Sequence, residues 1–332
     1  MKTRLLGIGL LAGMAALAAA PRMAQAETVK IDGSSTVFPI TEAVAEEFQI
    51  QKRGKVRVTV GISGTGGGFK KFCRGETDIS DASRPILKAE MDACAKAGIK
   101  FIELPVAYDA LTVVVNPQAT WVDQVTVAEL KKMWDPAAQG VVTKWSQVNS
   151  KWPNAPLKLF GPGSDSGTFD YFTEAVNGKS KSSRGDFTAS EDDNVLVQGV
   201  ESDKHALAYF GYAYYAPNAS KMKALRVVNA EGKAVGPSEA AVLDGSYNPL
   251  SRPLFIYVNA ASAAKPEVRD FVTFYLTQGT GYVSEVKYVP LAAAAYKTAL
   301  EHFRAAKLGS VFGGVPEVGL KVEDLLRREG KL

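Results

Sequence analysis

Eight residues constrain this chain most: Gly161-Pro162-Gly163-Ser164-Asp165-Ser166-Gly167-Thr168, set between an apolar run, Leu157 to Phe160, and a stripe of Phe169, Phe172 and Val176. The run reads as a strand, and the i, i+3, i+7 stripe predicts a helix beginning near Phe169. A strand that turns through glycines into a helix leaves the N–H groups of the first helical turn unpaired and facing one point. Three glycines let the backbone approach a ligand closely, and Ser164, Ser166 and Thr168 add hydroxyls. The stretch therefore reads as a cradle for an anion, with an ordinary capped loop as the alternative. Repetition favours the cradle, because the same pattern occurs twice more.

The first repeat follows Val29-Lys30-Ile31, a short strand pattern, with Asp32-Gly33-Ser34-Ser35-Thr36-Val37 and a helical stripe of Val37, Ile40, Val44 and Phe48. Pro39 suits the first turn of that helix, and Gly54 lies beyond its end. The second follows the alternating Val56, Val58 and Val60, where the glycine run 61 to 68, containing Ser63 and Thr65, leads into Phe69-Lys70-Lys71-Phe72. Neither G-x-x-x-x-G-K-[ST] nor G-x-G-x-x-G is satisfied there, and Gly178-Lys179-Ser180 has Thr173 where a P-loop needs its first glycine, so nucleotide binding has little support. Asp78 to Pro85 ends a further short strand at Ser83-Arg84, before a helix around Lys88 to Ala97. A guanidinium such as that of Arg84 suits a tetrahedral oxyanion, although a lone arginine in a turn is more often a surface residue.

Lys2 and Arg4, an apolar run from Leu5 to Ala20, and Ala24-Gln25-Ala26 form a secretory signal, cut before Glu27. The destination expected is a bacterial periplasm. Cleavage removes three of the 39 basic residues and none of the 35 acidic ones, leaving 36 against 35. So even a balance offers no footprint for nucleic acid. Only Cys73 and Cys94 are present, which in an oxidising compartment predicts a disulfide. With two histidines besides, His205 and His302, no ligand cluster for a metal is present in the sequence, and no cofactor is expected.

Further along, Phe101 to Leu104 and Val106 to Val115 read as two strands, and residues 116 to 150 as short helical pieces. Ser190 with Asp193 resembles a capping box, Ala206 to Tyr215, Leu225 to Val228 and Leu254 to Val258 read as strands, and Pro266 to Leu276 and Leu291 to Ala306 as helices. Alternation of strands and helices over this length implies an α/β protein with mostly parallel sheets and two domains. A secreted phosphatase-like hydrolase is the rival class. It lacks a G-x-S-x-G elbow and an H-E-x-x-H pair, and neither histidine falls in a cradle loop.

Taken together and in this order, the signal, Asp-Gly-Ser-Ser-Thr-Val-Phe-Pro at 32 to 39, the glycine run and Ser-Asp-Ser-Gly-Thr at 164 to 168 resemble the periplasmic phosphate-binding proteins of phosphate ABC transporters. The resemblance spans the mature chain. It implies the two-lobed type II periplasmic binding protein fold, each lobe a mostly parallel sheet flanked by helices, with residues 27 to 107 and 254 to 332 in one lobe and 108 to 253 in the other. It also implies inorganic phosphate as ligand, a membrane ABC permease as partner, and a monomer that is not an enzyme. A sulfate- or molybdate-type binder of the same fold differs only in its pocket.

Position by position, the resemblance puts phosphate on Thr36 and Val37, on Ser63 or Thr65, and on Ser166, Gly167 and Thr168, with Ser35 and Ser164 adjoining. Two positions depart from the family pattern: Ser83 stands where a pocket aspartate is usual, and Pro162 where an arginine is usual. The countercharge is therefore expected from Arg84, with Arg184 in reserve. A carboxylate that would favour phosphate, which carries a proton, over sulfate, which does not, is expected at Asp165, with Asp81 as the second choice.

Overall fold

The computed structural model describes residues 26–164, 166–190, 192–315 and 322–329. Residues 1 to 25 of the signal segment and Asp165 lie outside the described residues. Nine strands form one sheet: β1 (Glu27–Gly33), β2 (Val56–Ile62), β3 (Ile79–Ala82), β4 (Phe101–Val115), β5 (Lys158–Pro162), β6 (Thr188–Ser190), β7 (Ala206–Gly211), β8 (Lys223–Ala224) and β9 (Ser251–Asn259). Their order is β2-β1-β3-β9-β4-β7-β5-β6, with β8 paired to β4. Pairing is parallel between β1 and its neighbours β2 and β3 and between β5 and its neighbours β6 and β7, and antiparallel wherever β4 or β9 takes part. Gln124–Thr126, Arg226–Val228 and Ala234–Val235 make a separate small sheet.

This is a two-lobed α/β fold whose lobes share the β4–β9 ladder. Residues Phe101 to Ala110 of β4 pair with β9, and Leu111 to Val115 pair with β7. All fifteen residues of β4 and all nine of β9 are buried, which is why their sequences are largely apolar, with Glu103, Asp109 and Arg252 as the charged exceptions. The sequence divides β4 at Pro105, yet the strand runs through it. Pro105 faces Phe255 and Ala107 faces Leu254, so Val106 is an extra residue in a bulge that absorbs the proline.

Each parallel strand hands over to a helix at its C-terminal end. The helices are α1 (Phe38–Gln51), α2 (Gly64–Phe72), α3 (Lys88–Lys96), α4 (Gly167–Asn177), α5 (Asp193–Ser202), α6 (Pro266–Tyr275) and α7 (Ala293–Arg304), together with shorter pieces. In α1 the buried residues are Ile40, Thr41, Val44, Ala45 and Phe48, and the Phe48 ring meets Phe271 and Phe274 of α6 at 5.3 and 5.5 Å. In the other lobe the wholly buried Trp134 packs edge-on against Tyr209 at 4.8 Å and Phe172 at 5.6 Å. Burying each such ring contributes about 1.5–3 kcal/mol.

Three elements differ from the sequence reading. The glycine run is not a loop: Gly61 and Ile62 end β2, and Gly64 to Gly68 form the first half of α2. The strand predicted to Tyr215 ends at Gly211, because Val289 takes the next place on β4 by exchanging two backbone hydrogen bonds with Tyr108. The cap of α5 is Asp192, which accepts from Asn194 N, while Ser190 bonds Asp192 instead.

Candidate functional site

The hydroxyl-rich loops converge because β1, β2 and β3 run one way through the sheet and β5 the other, so that their C-terminal ends face each other across the middle of the β4–β9 ladder. Gly33, with φ of 152°, is required at the end of β1, since a Cβ there would lie 2.2 Å from the Asp81 carbonyl oxygen. The turn beyond it is fixed by Ser34 N donating to Asp81 O at 3.0 Å and Thr36 N donating to Ser34 Oγ at 3.2 Å. Close packing also explains the glycines of α2. A Cβ on Gly68 would stand 2.5 Å from Gly33 Cα and 2.9 Å from Ser80 Oγ, so only glycine lets this helix lie on β1 and present its N-terminal residues to the cleft.

Thr65 and Ser83 form one polar step of the first lobe. Their hydroxyls are 3.0 Å apart, and Ser83 N donates to Thr65 Oγ1 at 3.1 Å. Ser63 donates its hydroxyl to Asp32, which also accepts from Lys71 at 2.6 Å, so Ser63 is oriented by a carboxylate rather than left to a ligand alone. From the second lobe, α4 enters end-on. Ser166 caps it by accepting from Thr168 N at 3.1 Å, and Gly167 N donates to Ser35 Oγ at 3.4 Å across the cleft. A Cβ on Gly167 would lie 2.3 Å from Thr36 Oγ1 and 3.5 Å from Ser83 Oγ, so Thr36, Ser83 and Gly167 meet at one point. Val37 is wholly buried at the start of α1. Ser164 is exposed, and its carbonyl accepts from Lys181 at 3.1 Å.

The arginines are placed differently from the sequence expectation. Arg84 is held fork to fork by Glu90 at 2.9 and 2.7 Å and donates to its neighbour's carbonyl on Pro85, which puts it on the rim of the cleft. Arg184 is a structural residue of the second lobe: it is buried and spends its donors on Asp186, Met133 O and Val142 O. That pairing holds the Asp186 carboxyl down at about 2. The cation at the convergence point is Arg252, on the shared strand β9. It donates to Thr36 Oγ1 at 3.1 Å and Ser83 O at 3.3 Å, and through Nε and Nη2 to Asp109 Oδ2 at 3.2 and 3.1 Å. Its guanidinium also lies 4.6 Å from the centre of the Tyr171 ring, whose hydroxyl donates to the carbonyls of Pro249 and Ser251. Arg252 and Asp109 are each about 5% exposed, an ion pair buried at the bottom of the cleft.

Four further carboxylates have shifted protonation, two buried away from the cleft and two on α4 facing it. Burial pushes Asp81 up to about 8, with the Asp32 charge adding to the shift. Asp81 lies wholly buried beneath the loops and does not open on the cleft. Burial likewise raises Glu103 to about 7, although it accepts from Tyr257 and from Val311 N. Asp170 and Glu174 of α4 face the cleft. Burial pushes both up, opposed for Asp170 by Lys181 and Arg252 and for Glu174 by Arg84 and Arg252. Among the described residues there is no group of three or more His, Cys, Asp or Glu side chains able to hold a metal.

A family model described as a PBP superfamily domain matches residues 18–278. The chain belongs to the PBP superfamily. It is 57% identical over 92% of its length to Protein SphX of Synechococcus elongatus, covering 90% of that protein. It is 39% identical over 81% of its length to the phosphate-binding protein PstS of Staphylococcus saprophyticus, covering 82% of it. A crystal structure of a possible phosphate binding protein from Planctomyces limnophilus superimposes with a TM-score of 0.74 at 50% identity, covering 85% of this chain and 99% of that one. In this PBP superfamily member the sequence reading missed Arg252, Asp109 and Asp170. Asp109 left a signal, as the one charged residue between Val106 and Val115. Arg252, in Ser-Arg-Pro, carries no local signal in the sequence.

Proposed function

We propose that this chain binds inorganic phosphate between its lobes in the periplasm and delivers it to an ABC-type membrane permease. One observation carries the reading: the Thr36, Thr65 and Ser83 hydroxyls, the Gly167 N–H and the Arg252 guanidinium all meet at one place. Hydroxyl and N–H donors with a guanidinium suit a small tetrahedral oxyanion. The Arg252–Asp109 pair is neutral as a unit, so the dianion is balanced by hydrogen bonds and by the first turns of α1, α2 and α4 rather than by excess positive charge. The names of the relatives support the same reading.

The ligand set under this proposal is Ser35, Thr36, Val37, Ser63, Thr65, Ser83, Ser166, Gly167, Thr168 and Arg252, with Arg84 and Ser164 at the rim. The lobes are residues 27 to 107 with 254 to 332, and 108 to 253. The protein works as a monomer released by cleavage near Ala26. Under this reading it is a binding protein rather than a hydrolase; His205 stands beside Trp121, and His302 is buried in α7. Calorimetric titration tests the proposal. Phosphate is expected to bind with one-to-one stoichiometry and sulfate far more weakly; equal or tighter sulfate binding would overturn it, as would sustained turnover of p-nitrophenyl phosphate.

A further inference from the structure

Resting on the phosphate reading, we propose that the cleft also takes phosphate monoesters, with the phosphoryl group on the shared donors and an uncharged apolar or aromatic substituent in a chamber beside Tyr214. The reason is the space that remains where the lobes already touch. Gly167 N donates to Ser35 Oγ at 3.4 Å and Gly167 has no room for a side chain, so the lobes are together at the donor point. Beside that contact, Ser35, Thr36, Ser166 and Thr168 open on a cavity of about 520 Å³. A water molecule takes about 30 Å³ of liquid volume, so this chamber is far larger than one five-atom oxyanion fills.

What lines the chamber decides the substituent. Its other walls include Pro39 and Ile62 from the first lobe, Ala213 and Tyr214 from the second, and Val286 with Tyr288. Ile62 is 56% exposed and Tyr214 40%, so each lobe leaves a large apolar side chain uncovered here. Small-molecule sites are built this way, with an apolar lining and a few polar groups that fix orientation. The charged residues there, Asp109 paired with Arg252, Asp193 and Lys287, give no excess of positive charge that would call for an anionic substituent. A second cavity, of about 490 Å³, reaches the donors from Thr65, Ser83 and Arg252. Lys70, Arg84, Glu90, Glu174 and Lys181 line it, and an apolar group there would strip water from those charges. The direction of the ester follows. A monoester dianion keeps three terminal oxygens for the hydroxyl, N–H and guanidinium donors and turns its bridging oxygen toward the chamber. No bond is broken, and the ester is held whole.

The test is calorimetry at neutral pH with inorganic phosphate and with phenyl phosphate, in the wild type, Tyr214→Ala and Ile62→Ala. The wild type should bind one phenyl phosphate at millimolar concentration or below, and saturation with inorganic phosphate should abolish that heat. Each variant should weaken phenyl phosphate by about tenfold while inorganic phosphate stays within about twofold, and a thermal melt shows that each is folded. A wild type that binds inorganic phosphate and no phenyl phosphate overturns the inference. So does ester affinity unchanged in both folded variants, or ester binding that inorganic phosphate does not displace. A wild type that takes up no inorganic phosphate is a different failure: it removes the phosphate reading, and this inference with it.

Discussion

Arg252 carries the strongest expectation for a single residue. Removing it leaves Asp109 as an unpaired buried charge and takes the guanidinium from Thr36 and Ser83. Arg252→Ala should weaken phosphate binding by about 2–5 kcal/mol in calorimetry. Arg84→Ala, which breaks a pair at the rim, should cost under about 1 kcal/mol. The hydroxyl positions were legible because serine, threonine and glycine cluster in the chain where they cluster in space. Arg252 was not, because it comes from a strand 216 positions away from Thr36 and nothing local marks it. Asp81 gives a pH test. Its carboxyl is raised from 3.8 to about 8, so the folded state holds a proton that the unfolded state releases, and stability falls as pH rises between those values. Asp81→Asn should therefore gain in melting temperature over the wild type at pH 9 and gain much less at pH 4, as read by calorimetric scans.

Helix α2 is where sequence and structure part most clearly. Its glycines suggest a loop by propensity, each being about 1 kcal/mol worse than alanine inside a helix. Tertiary packing overrides this, because the helix must touch the backbone of β1 at Gly33. Gly68→Ala should then destabilise the protein by about 1–3 kcal/mol in urea unfolding, despite improving helix propensity, since β1 cannot retreat. The end of the same helix is tied by the Cys73–Cys94 disulfide to α3, across 21 residues. Closing a loop of that length should contribute about 3 kcal/mol in the chain-entropy model. Thiol titration of the unfolded, unreduced protein should find none free, and Cys73→Ser with Cys94→Ser should lose that amount. Strand β4 was legible as apolar text but not as one strand, because a bulge that accommodates a proline depends on the partner strand.

At the scale of the whole molecule, the lobes meet where Gly167 comes against Thr36 and Ser83 with no room for a side chain. Gly167→Ala should hold the lobes apart. Small-angle scattering should show the wild type contracting on saturation with phosphate and the variant contracting less, with the melting temperature of the free protein little changed. The α/β class was readable from the alternating strands and helices, whereas the two-lobed arrangement came from the family resemblance, with chain length pointing only to two domains. That both lobes hang on one antiparallel ladder was not readable, since pairing β4 with β9 joins segments far apart in the chain.

The position of Arg252 on that ladder separates two events in time. A cation carried on a moving lobe would reach the anion only at the end of the stroke. This one sits on the ladder that both lobes share, paired with Asp109 of the same ladder, and is expected to keep its place when the lobes part. Capture can precede enclosure. Entry of the anion should then depend on ionic strength and on Arg252, and its escape on how firmly Gly167 seats against Thr36; stopped-flow traces of the two variants should divide along that line.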